Sequence, residues 1–403
     1  VPRRLADRFA ERVTSDPFWT PSEWTARLLL GGQNPEGLQA VRGLEPGVLN
    51  GCFEAGDHLG QPGPRLTDRD GMTGKLPDLW TELRKRGFSP TALETYAQCP
   101  FKFFASRVLG LEEPEDLEEV TELDSLTIGV LLHDVFQRFF YQWSKKESAD
   151  PSRLLSQVIE STLDEFEANH PVGYPLLWQG TRGRVRWLAT DYAEKELRFL
   201  QESGFRPFAF EEMSDARIPE IPGSPSILRG VKIKGRLDRL DRREGGDGVE
   251  LRVVDYKFKG GKNAAKRKME RDALRGRTLQ PAFYVLLAEA GEPGVKASAE
   301  LHYLAPLWPD PAGSRDICPP GAWESPWARE MGDTLAESLK GIRDGKFYII
   351  PHDGDYGHCS YCPYQVLCRK NHRPTRYRQK ADPRTHRIED LSEKEWPPKP
   401  RPG

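Results

Sequence analysis

The chain contains 403 residues, of which 37% are hydrophobic and 30% charged, and its formal net charge at pH 7 is −2. This length allows two or three domains or one elaborated domain, and no apolar run approaches the ~18 residues that cross a membrane. The near-neutral charge excludes a globally basic nucleic-acid-binding protein, so any contact with nucleic acid must come from a local patch.

The first 87 residues are predicted to form an accessory region that is helical in part and irregular elsewhere. Helical periodicity covers residues 6–13 and 21–30, whereas residues 31–74 are rich in Gly, Pro and Asp. The first residues contain neither an initiator Met nor a secretory hydrophobic segment. We therefore expect the chain to be cytoplasmic, and to be a fragment of a longer protein or a stand-alone relative of one.

Helices are predicted to dominate residues 88–204. Pro90 suits the first position of a helix that runs to about residue 98. Longer periodic stretches predict helices near residues 125–143, 151–169 and 182–204.

Strands are predicted from residue 205 onward, at residues 208–213, 231–241, 250–258 and 299–304. The Gly-rich turn at residues 245–248 joins the second and third strands into a hairpin. Helices near residues 279–290 and 327–344 follow, and then a polar, Arg- and Pro-rich tail with disorder expected beyond residue 387. The predicted regions are therefore an accessory region (1–87), a main domain (88–370) and a tail (371–403).

The most informative residues lie on the predicted hairpin. Asp255 and Lys257 are two positions apart on one strand and project from the same face, and the hairpin brings Asp238 close to them. Two neighbouring carboxylates repel each other unless a cation lies between them, and hard oxygen ligands suit Mg²⁺ or Mn²⁺. Taken singly, each residue also fits a surface ion pair. Together they indicate a divalent-metal site with a lysine beside the attacking water, a chemistry that cleaves phosphodiesters.

Three further polar residues are candidates only in this context. His133 lies on a strongly apolar helix, where a lone histidine is usually a core residue with satisfied hydrogen bonds. Gln280 and Tyr284 are four positions apart on a predicted helix and share a face. They either pack as ordinary helix residues or place their polar tips near a phosphate or Lys257.

Three of the six cysteines have the spacing of metal ligands, Cys359-x2-Cys362-x5-Cys368. A tetrathiolate site needs a fourth ligand, and the candidate is Cys99, which lies 260 positions before Cys359. Zinc and a [4Fe-4S] cluster both accept four thiolates, and the spacing alone does not separate them.

Four motifs, in this order along the chain, resemble those of the PD-(D/E)XK nucleases of the RecB type. They are Gly129-x3-His133, Gly235-x2-Asp238-Arg239-Leu240-Asp241, Asp255-Tyr256-Lys257 and Gln280-x3-Tyr284. The resemblance covers residues 88–369 and implies an α/β fold, the restriction-endonuclease-like core with a mixed central sheet flanked by helices. It also implies that His133, Asp238 and Asp255, with the carbonyl of Tyr256, hold the catalytic metal.

The same resemblance implies roles for other residues. Lys257 would orient the attacking water, with Gln280 and Tyr284 assisting. An acidic residue on the strand before the hairpin would contact a second metal or a water ligand; Glu211 fits best, and Glu212 is its rival. Iron–sulfur members of the family place one cysteine before these motifs and a Cys-x2-Cys-x5-Cys group after them. The resemblance therefore favours a structural [4Fe-4S] cluster over zinc, held by Cys99, Cys359, Cys362 and Cys368.

A basic segment directly follows the predicted catalytic strand. Between residues 257 and 277, nine Lys or Arg residues stand against two acidic ones. Such a run is often only a solvated face, but its position favours a loop that follows DNA phosphates without reading sequence. The candidate DNA-binding residues are Arg239, Lys259, Lys262, Lys266, Arg267 and Lys268.

Within this nuclease family, residues 88–101 are most similar to the C-terminal nuclease region of AddB, from the bacterial AddAB helicase–nucleases. That resemblance implies a metal-dependent exonuclease acting on single-stranded DNA at double-strand breaks, with a helicase partner and cutting of the 5′-terminated strand. The chain has no Gly-x4-Gly-Lys-[Ser/Thr] phosphate loop, so it is not a motor by itself. The alternative is a non-catalytic DNA-end-binding or structural protein that keeps the nuclease fold as a scaffold; the intact Asp238, Asp255 and Lys257 argue against it.

Overall fold

The computed structural model describes residues 63–112, 121–145, 150–245, 248–258, 269–292, 294–304, 315–352 and 358–385. In these residues the helices are α1 (Pro77–Arg86), α2 (Pro90–Gln98), α3 (Pro100–Phe103), α4 (Ser125–Lys145), α5 (Pro151–Asn169), α6 (Pro175–Ser203), α7 (Met269–Leu274), α8 (Gln280–Gly291), α9 (Pro326–Arg343) and α10 (Arg373–Ala381). The strands are β1 (Arg206–Arg217), β2 (Lys232–Gly245), β3 (Gly248–Lys257), β4 (Lys296–Tyr303) and β5 (Arg315–Cys318). The helices expected at residues 6–13 and 21–30 lie outside the described residues.

The five described strands form one mixed sheet in the order β1-β2-β3-β4-β5. Neighbouring strands are antiparallel except β3 and β4, which run parallel because helix α8 carries the chain back between them. Gly245 pairs with Gly248 at the tip of the β2–β3 hairpin, where the turn was predicted. The expected mixed sheet with flanking helices is confirmed.

Local sequence explains most of the helix boundaries. The Asp150 side chain accepts the backbone N–H of Ser152 and Pro151 follows it, so α5 begins where the sequence predicts. Helix α6 begins seven residues earlier than predicted. Gly180 and Gly183 weaken the periodic signal there, and the buried Trp178 anchors the first turns of the helix in the core.

The sheet carries a hydrophobic core on each face. One core lies against α8 and α9 and includes Phe283 and Leu335; the other lies against α4, α5 and α6 and includes Phe136. Neighbouring strand residues point to opposite faces, so Val253 of β3 belongs to the first core and Val254 to the second. Strand β3 is therefore buried on both sides, which fixes the position of the residues at its end.

Both ends of the described chain pack onto this body, which differs from the predicted organisation. Leu66 and Leu83 share the first core with Phe88, so the packing unit does not begin at residue 88. The predicted tail forms helix α10, and the side chain of Arg378 is 2% exposed because it pairs with Asp70 at 2.7 Å. Residues 386–403 lie outside the described part. In that part no helix is long and apolar enough to cross a membrane.

Candidate active site

Three acidic residues come together where strands β1, β2 and β3 lie side by side. Extending the β2–β3 register by one residue sets Asp238 opposite Asp255, and the β1–β2 register sets Glu211 opposite Asp238. The backbone N–H of Tyr256 donates to Asp238 Oδ2 at 3.1 Å, which fixes the two strand ends to each other. The hairpin therefore places the two predicted aspartates together.

His133 reaches this group from helix α4. Its Nδ1 lies 3.3 Å from Asp238 Oδ2, and its Nε2 lies 2.8 Å from the carbonyl oxygen of Tyr256. Donor atoms of His133, Glu211 and Asp238 all lie within 4.8 Å of one another. His133 is thus not an isolated core histidine, because its ring is aimed at the acidic strand ends.

The structure distinguishes Glu211 from Glu212. Glu211 belongs to the group with His133 and Asp238, whereas Glu212 is exposed and pairs with Leu237 in the register. Glu211 also has a φ of 51°, the one positive φ of a non-glycine residue in the described ranges. Such a backbone costs about 1–3 kcal/mol and persists where surrounding structure enforces it, commonly at functional sites.

A second chain of contacts runs from Lys257 through Asp255 into helix α8. Lys257 Nζ lies 2.6 Å from Asp255 Oδ2, and the Asp255 side chain is 2% exposed. The Tyr284 hydroxyl hydrogen-bonds the Asp255 carboxylate and accepts a bond of 3.2 Å from Gln280 Nε2. Burial and then the charge of Asp255 raise the pKa of Tyr284 well above its ordinary value, so the hydroxyl remains a donor.

Gly235 explains how helix α8 comes so close to the hairpin. A Cβ at this position would lie 2.8 Å from Leu287 Cδ1 and 3.4 Å from Tyr284 Cε1, so a larger residue would push the helix away. The glycine of the hairpin motif therefore serves the placement of Tyr284.

The charges of the site are unbalanced in a way that favours a cation. Burial, and next the neighbouring Asp255, raise the pKa of Asp238 well above its ordinary value. Burial lowers the pKa of His133, which keeps its imidazole neutral and able to act as a ligand. A divalent ion between these groups would relieve the repulsion between the carboxylates.

The donor atoms themselves fit a hard divalent cation. Two buried oxygens, Glu211 Oε2 and Asp255 Oδ2, accept no well-aligned hydrogen bond from the described residues, although Arg236 Nε and Lys257 Nζ lie 2.8 and 2.6 Å away. Adjacent ligands of an octahedral ion at about 2.1 Å are roughly 3 Å apart, comparable to the 2.8 Å between His133 Nε2 and the Tyr256 carbonyl. Imidazole, carboxylate and carbonyl donors together suit Mg²⁺ or Mn²⁺.

The four predicted cluster cysteines line one pocket, between the start of α3 and the segment after α9. Backbone N–H groups point at their sulfurs: those of Phe101, Lys102 and Ile350 at Cys99, that of His352 at Cys359 (3.3 Å), and that of Lys370 at Cys368. Burial, and next the proximity of Cys99, raise the pKa of the Cys368 thiol to about 11. No three of these described sulfurs lie within 4.8 Å of one another, whereas tetrahedral zinc holds thiolates about 3.8 Å apart.

Arg239 corrects one prediction, because it is wholly buried and does not face DNA. Its guanidinium bonds Asp241 Oδ1 at 2.8 Å and the Tyr256 hydroxyl at 2.9 Å, and it lies over the Phe140 ring at 4.3 Å. It also pairs with Glu196 of α6. The other five DNA-binding candidates, Lys259, Lys262, Lys266, Arg267 and Lys268, lie outside the described residues.

Sequence reasoning missed the partners of this buried network. Arg252 bonds Asp241 at 2.8 Å and Glu300 at 2.8 Å, and His302 Nε2 lies 2.7 Å from the same Glu300 oxygen. The signal was present, since charged residues occupy alternate positions on strands that are otherwise apolar. The network lies on the sheet face to which Tyr256 points, directly behind the candidate site.

Comparison with known proteins agrees with this geometry. A family model described as the PD-(D/E)XK nuclease superfamily matches residues 87–369. Subunits of ATP-dependent helicase/deoxyribonucleases are similar: that of Natranaerobius thermophilus is 28% identical over 213 residues (50% of this chain, 17% of that protein), and that of Desulforudis audaxviator is 29% identical over 193 residues (45% and 16%). That of Moorella thermoacetica is 28% identical over 224 residues (50% and 18%). The matched part therefore spans less than a fifth of these relatives, and the resemblance read from the motifs is confirmed.

Proposed function

The chain belongs to the PD-(D/E)XK nuclease superfamily, and from that premise we propose that it is a metal-dependent deoxyribonuclease that hydrolyses the phosphodiesters of single-stranded DNA. The observation that supports this most directly is the convergence of His133, Asp238 and Asp255 at one end of the hairpin, with Lys257 Nζ 2.6 Å from Asp255. The lysine stands where a water beside the cation would attack. The two buried oxygens without aligned hydrogen bonds provide further donors for such a cation.

In the proposed mechanism, His133, Asp238, Asp255 and the Tyr256 carbonyl hold Mg²⁺ or Mn²⁺. When bound, the ion polarises the scissile phosphate and lowers the pKa of a coordinated water. Lys257 orients the attacking water and offsets the negative charge that develops on the phosphate. The Tyr284 hydroxyl, fixed by Gln280, holds the Asp255 carboxylate in its ligating orientation. Glu211 faces the same space and binds water or a second ion.

The proposal is tested with single strands labelled at the 5′ or the 3′ end, incubated with the purified chain in Mg²⁺, in Mn²⁺ or in EDTA. We expect cleavage only with the metals. Asp255→Asn and Lys257→Ala are expected to lower the rate at least ~10²-fold while DNA binding survives, because each removes a group that acts on the reacting atoms. The position of the label in the first products also reports the strand polarity.

Asp215 and Lys232 provide the matched control, since they form an exposed ion pair of 2.9 Å elsewhere on the same sheet. Asp215→Asn and Lys232→Ala should cleave like the wild type. Wild-type rates from either active-site variant would contradict the assignment. A wild-type chain that binds DNA and never cuts it would support the non-catalytic module instead.

We further propose that the nuclease acts as an exonuclease on DNA ends together with a helicase. The name of the relatives combines a helicase with a deoxyribonuclease, and the chain matches only 16–18% of the three relatives described. Cutting of the 5′-terminated strand follows from the resemblance to AddB. Co-purification of the chain with a helicase that increases its degradation of duplex ends would support the partnership; unchanged degradation would oppose it.

We also propose that Cys99, Cys359, Cys362 and Cys368 hold a [4Fe-4S] cluster with a structural role. The five backbone N–H groups aimed at three of the sulfurs favour anionic thiolates, and the sulfur separations are wide for a single zinc ion. A ligand set that spans 260 positions would stabilise the fold by restricting the unfolded chain.

This cluster predicts a brown protein with about four irons and four sulfides per chain and absorbance near ~400 nm. Cys99→Ser is expected to lose the colour and to lower the unfolding midpoint, whereas Cys318→Ser, a buried cysteine of β5, should keep the iron. Circular dichroism and metal analysis measure both effects without reference to cleavage. A colourless folded protein with stoichiometric zinc would overturn the proposal.

A further inference from the structure

Helix α4 carries an exposed apolar stripe that leads to the candidate site. Leu126 is 75% exposed and Val130 is 60% exposed, although the other face of this helix fills the second core. Positions 126, 130 and 133 are four and three residues apart, so both side chains lie on the helical stripe that presents His133. Two large aliphatic side chains therefore face solvent within two turns of a candidate metal ligand.

Phe258 extends this surface from the catalytic strand. It follows Lys257, and it packs so closely on α4 that a Cβ at Gly129 would lie 3.3 Å from Phe258 Cβ. The guanidinium carbon of Arg184 lies 5.1 Å from the centre of the Phe258 ring. The absence of a side chain at Gly129 thus lets an aromatic ring and a cation stand beside the aliphatic stripe.

Arg184 differs from its neighbours on helix α6. Arg182 and Arg186 both point toward α5, where they pair with Glu160 at 2.9 Å and at a shorter distance. Arg184 is exposed and faces Phe258, and no carboxylate of the described residues pairs with it. A cation without a carboxylate partner, two positions from paired ones and next to a catalytic strand, is available to an external anion.

We propose that Leu126, Val130, Phe258 and Arg184 form a strand-binding surface that receives unpaired bases and a phosphate of the DNA strand entering the site. The inference rests on the proposed nuclease function and deepens it. A duplex presents phosphates outward and hides its base faces, so it has nothing to place on aliphatic side chains. An unpaired strand offers both base faces and phosphates, which match the apolar residues and Arg184 respectively.

Binding without divalent metal separates this inference from the nuclease proposal. Fluorescence anisotropy in EDTA would compare a labelled single strand, an abasic strand of equal length and a duplex of the same sequence. We expect the wild type to bind the base-bearing strand at least fivefold more tightly than the abasic strand. Equal affinity for the two strands would overturn the proposal, whether or not the protein cleaves DNA in Mn²⁺.

The aliphatic stripe is tested by the double variant Leu126→Ser/Val130→Ser. It should weaken binding of the base-bearing strand by about fivefold and leave the abasic strand unchanged, because only base contacts are removed. Ile317→Ser is the matched control, since Ile317 is 49% exposed on the far edge strand. Circular dichroism confirms folding. An unchanged affinity for bases, or an equal loss on both strands, would show that the stripe serves another partner.

Arg184→Gln tests the cationic part. It should weaken binding of both single strands and reduce the slope of log affinity against log salt by about 0.7, the value for one phosphate contact on a single strand. Arg229→Gln removes an arginine that is 75% exposed and pairs with Glu220 in the loop after β1, and it should leave the slope unchanged. Equal slopes for the wild type and Arg184→Gln would contradict the assignment of Arg184.

Discussion

Two aspartate–lysine pairs on one sheet show how the surroundings decide the role of a residue. Asp255 pairs with Lys257 at 2.6 Å and Asp215 with Lys232 at 2.9 Å, but their aspartate side chains are 2% and 60% exposed. Water screens the exposed pair, which contributes little to stability. The buried carboxylate is held beside a second carboxylate and a tyrosine hydroxyl, so its negative charge remains available to a metal ion.

Glu211 and Glu212 allow a residue-scale prediction from neighbouring identical side chains. Glu211→Gln should lower the rate of DNA cleavage at least ~10-fold, because its carboxylate faces the metal group and its charge is removed there. Glu212→Gln should cleave like the wild type, since that side chain is exposed and away from the group. Single-turnover cleavage with saturating Mn²⁺ measures both rates. Equal rates would return the choice between the two residues to Glu212 or to neither.

At the scale of secondary-structure elements, strands β2, β3 and β4 are tied together by buried charges behind the site. Arg239 and Arg252 lie between Asp241, Glu196 and Glu300, and Arg239 also holds the hydroxyl of Tyr256. The carbonyl of Tyr256 faces His133 on the other side of the strand end. The network thus fixes the strand that carries the candidate ligands, and its loss would loosen the site as well as the fold.

The network predicts a defined loss of stability in acid. Burial alone would raise the pKa of Glu300, but hydrogen bonds from His302 and Arg252 outweigh it and lower the pKa from 4.5 to about 2. A carboxylate with a lowered pKa contributes stability above pH ~4.5 and loses it as the pH falls toward 2, here on the order of 3 kcal/mol. Urea unfolding between pH 7 and pH 3 measures this slope.

Glu300→Gln should lower the free energy of unfolding at pH 7 and make it less dependent on pH below 4.5. Glu324→Gln is the control, because Glu324 is 72% exposed and pairs only with Lys296 among the described residues. A Glu300→Gln protein that keeps the wild-type slope in acid would show that Glu300 does not carry this dependence.

At the scale of the whole molecule, the two ends of the described chain close on each other. The backbone N–H of Leu66 donates to Asp382 at 2.8 Å, Thr73 N–H donates to the Gly345 carbonyl at 2.9 Å, and Asp70 pairs with Arg378. The cysteine pocket joins α3 to the segment after α9 in the same region. These contacts connect residues about 300 positions apart, so the fold depends on segments far outside the hairpin.

Arg378→Ala tests this closure, because it leaves the carboxylate of Asp70 buried without its partner. We expect a loss of about 3–5 kcal/mol in the free energy of unfolding, the usual cost of breaking a buried ion pair on one side. Arg373→Ala, which removes an exposed arginine from the start of the same helix, should cost less than about 1 kcal/mol. Denaturant midpoints measure both, and equal small losses would mean that α10 is not needed for stability.

Local patterns predicted the elements that carry the candidate site. The hairpin, the bounds of α5 and the helix of Gln280 follow from turn residues, caps and periodicity, which act between neighbours in sequence. The tail failed as a prediction because α10 is polar, with a mean composition typical of solvent-exposed segments, and only the partner Asp70 makes its burial favourable. Arg239 failed for the same reason, since its burial depends on Glu196 and Asp241.

The sequence by itself determined the order of the motifs, the residue types of the site and the strands and helices that hold them, because each depends on spacing along the chain. Only the tertiary structure decided that Glu211 and not Glu212 faces His133, that Arg239 is interior, and that Leu126, Val130 and Arg184 border the site. Those outcomes depend on which surfaces meet when helices pack on the sheet. Packing joins residues that are distant in sequence, and local spacing does not encode such contacts.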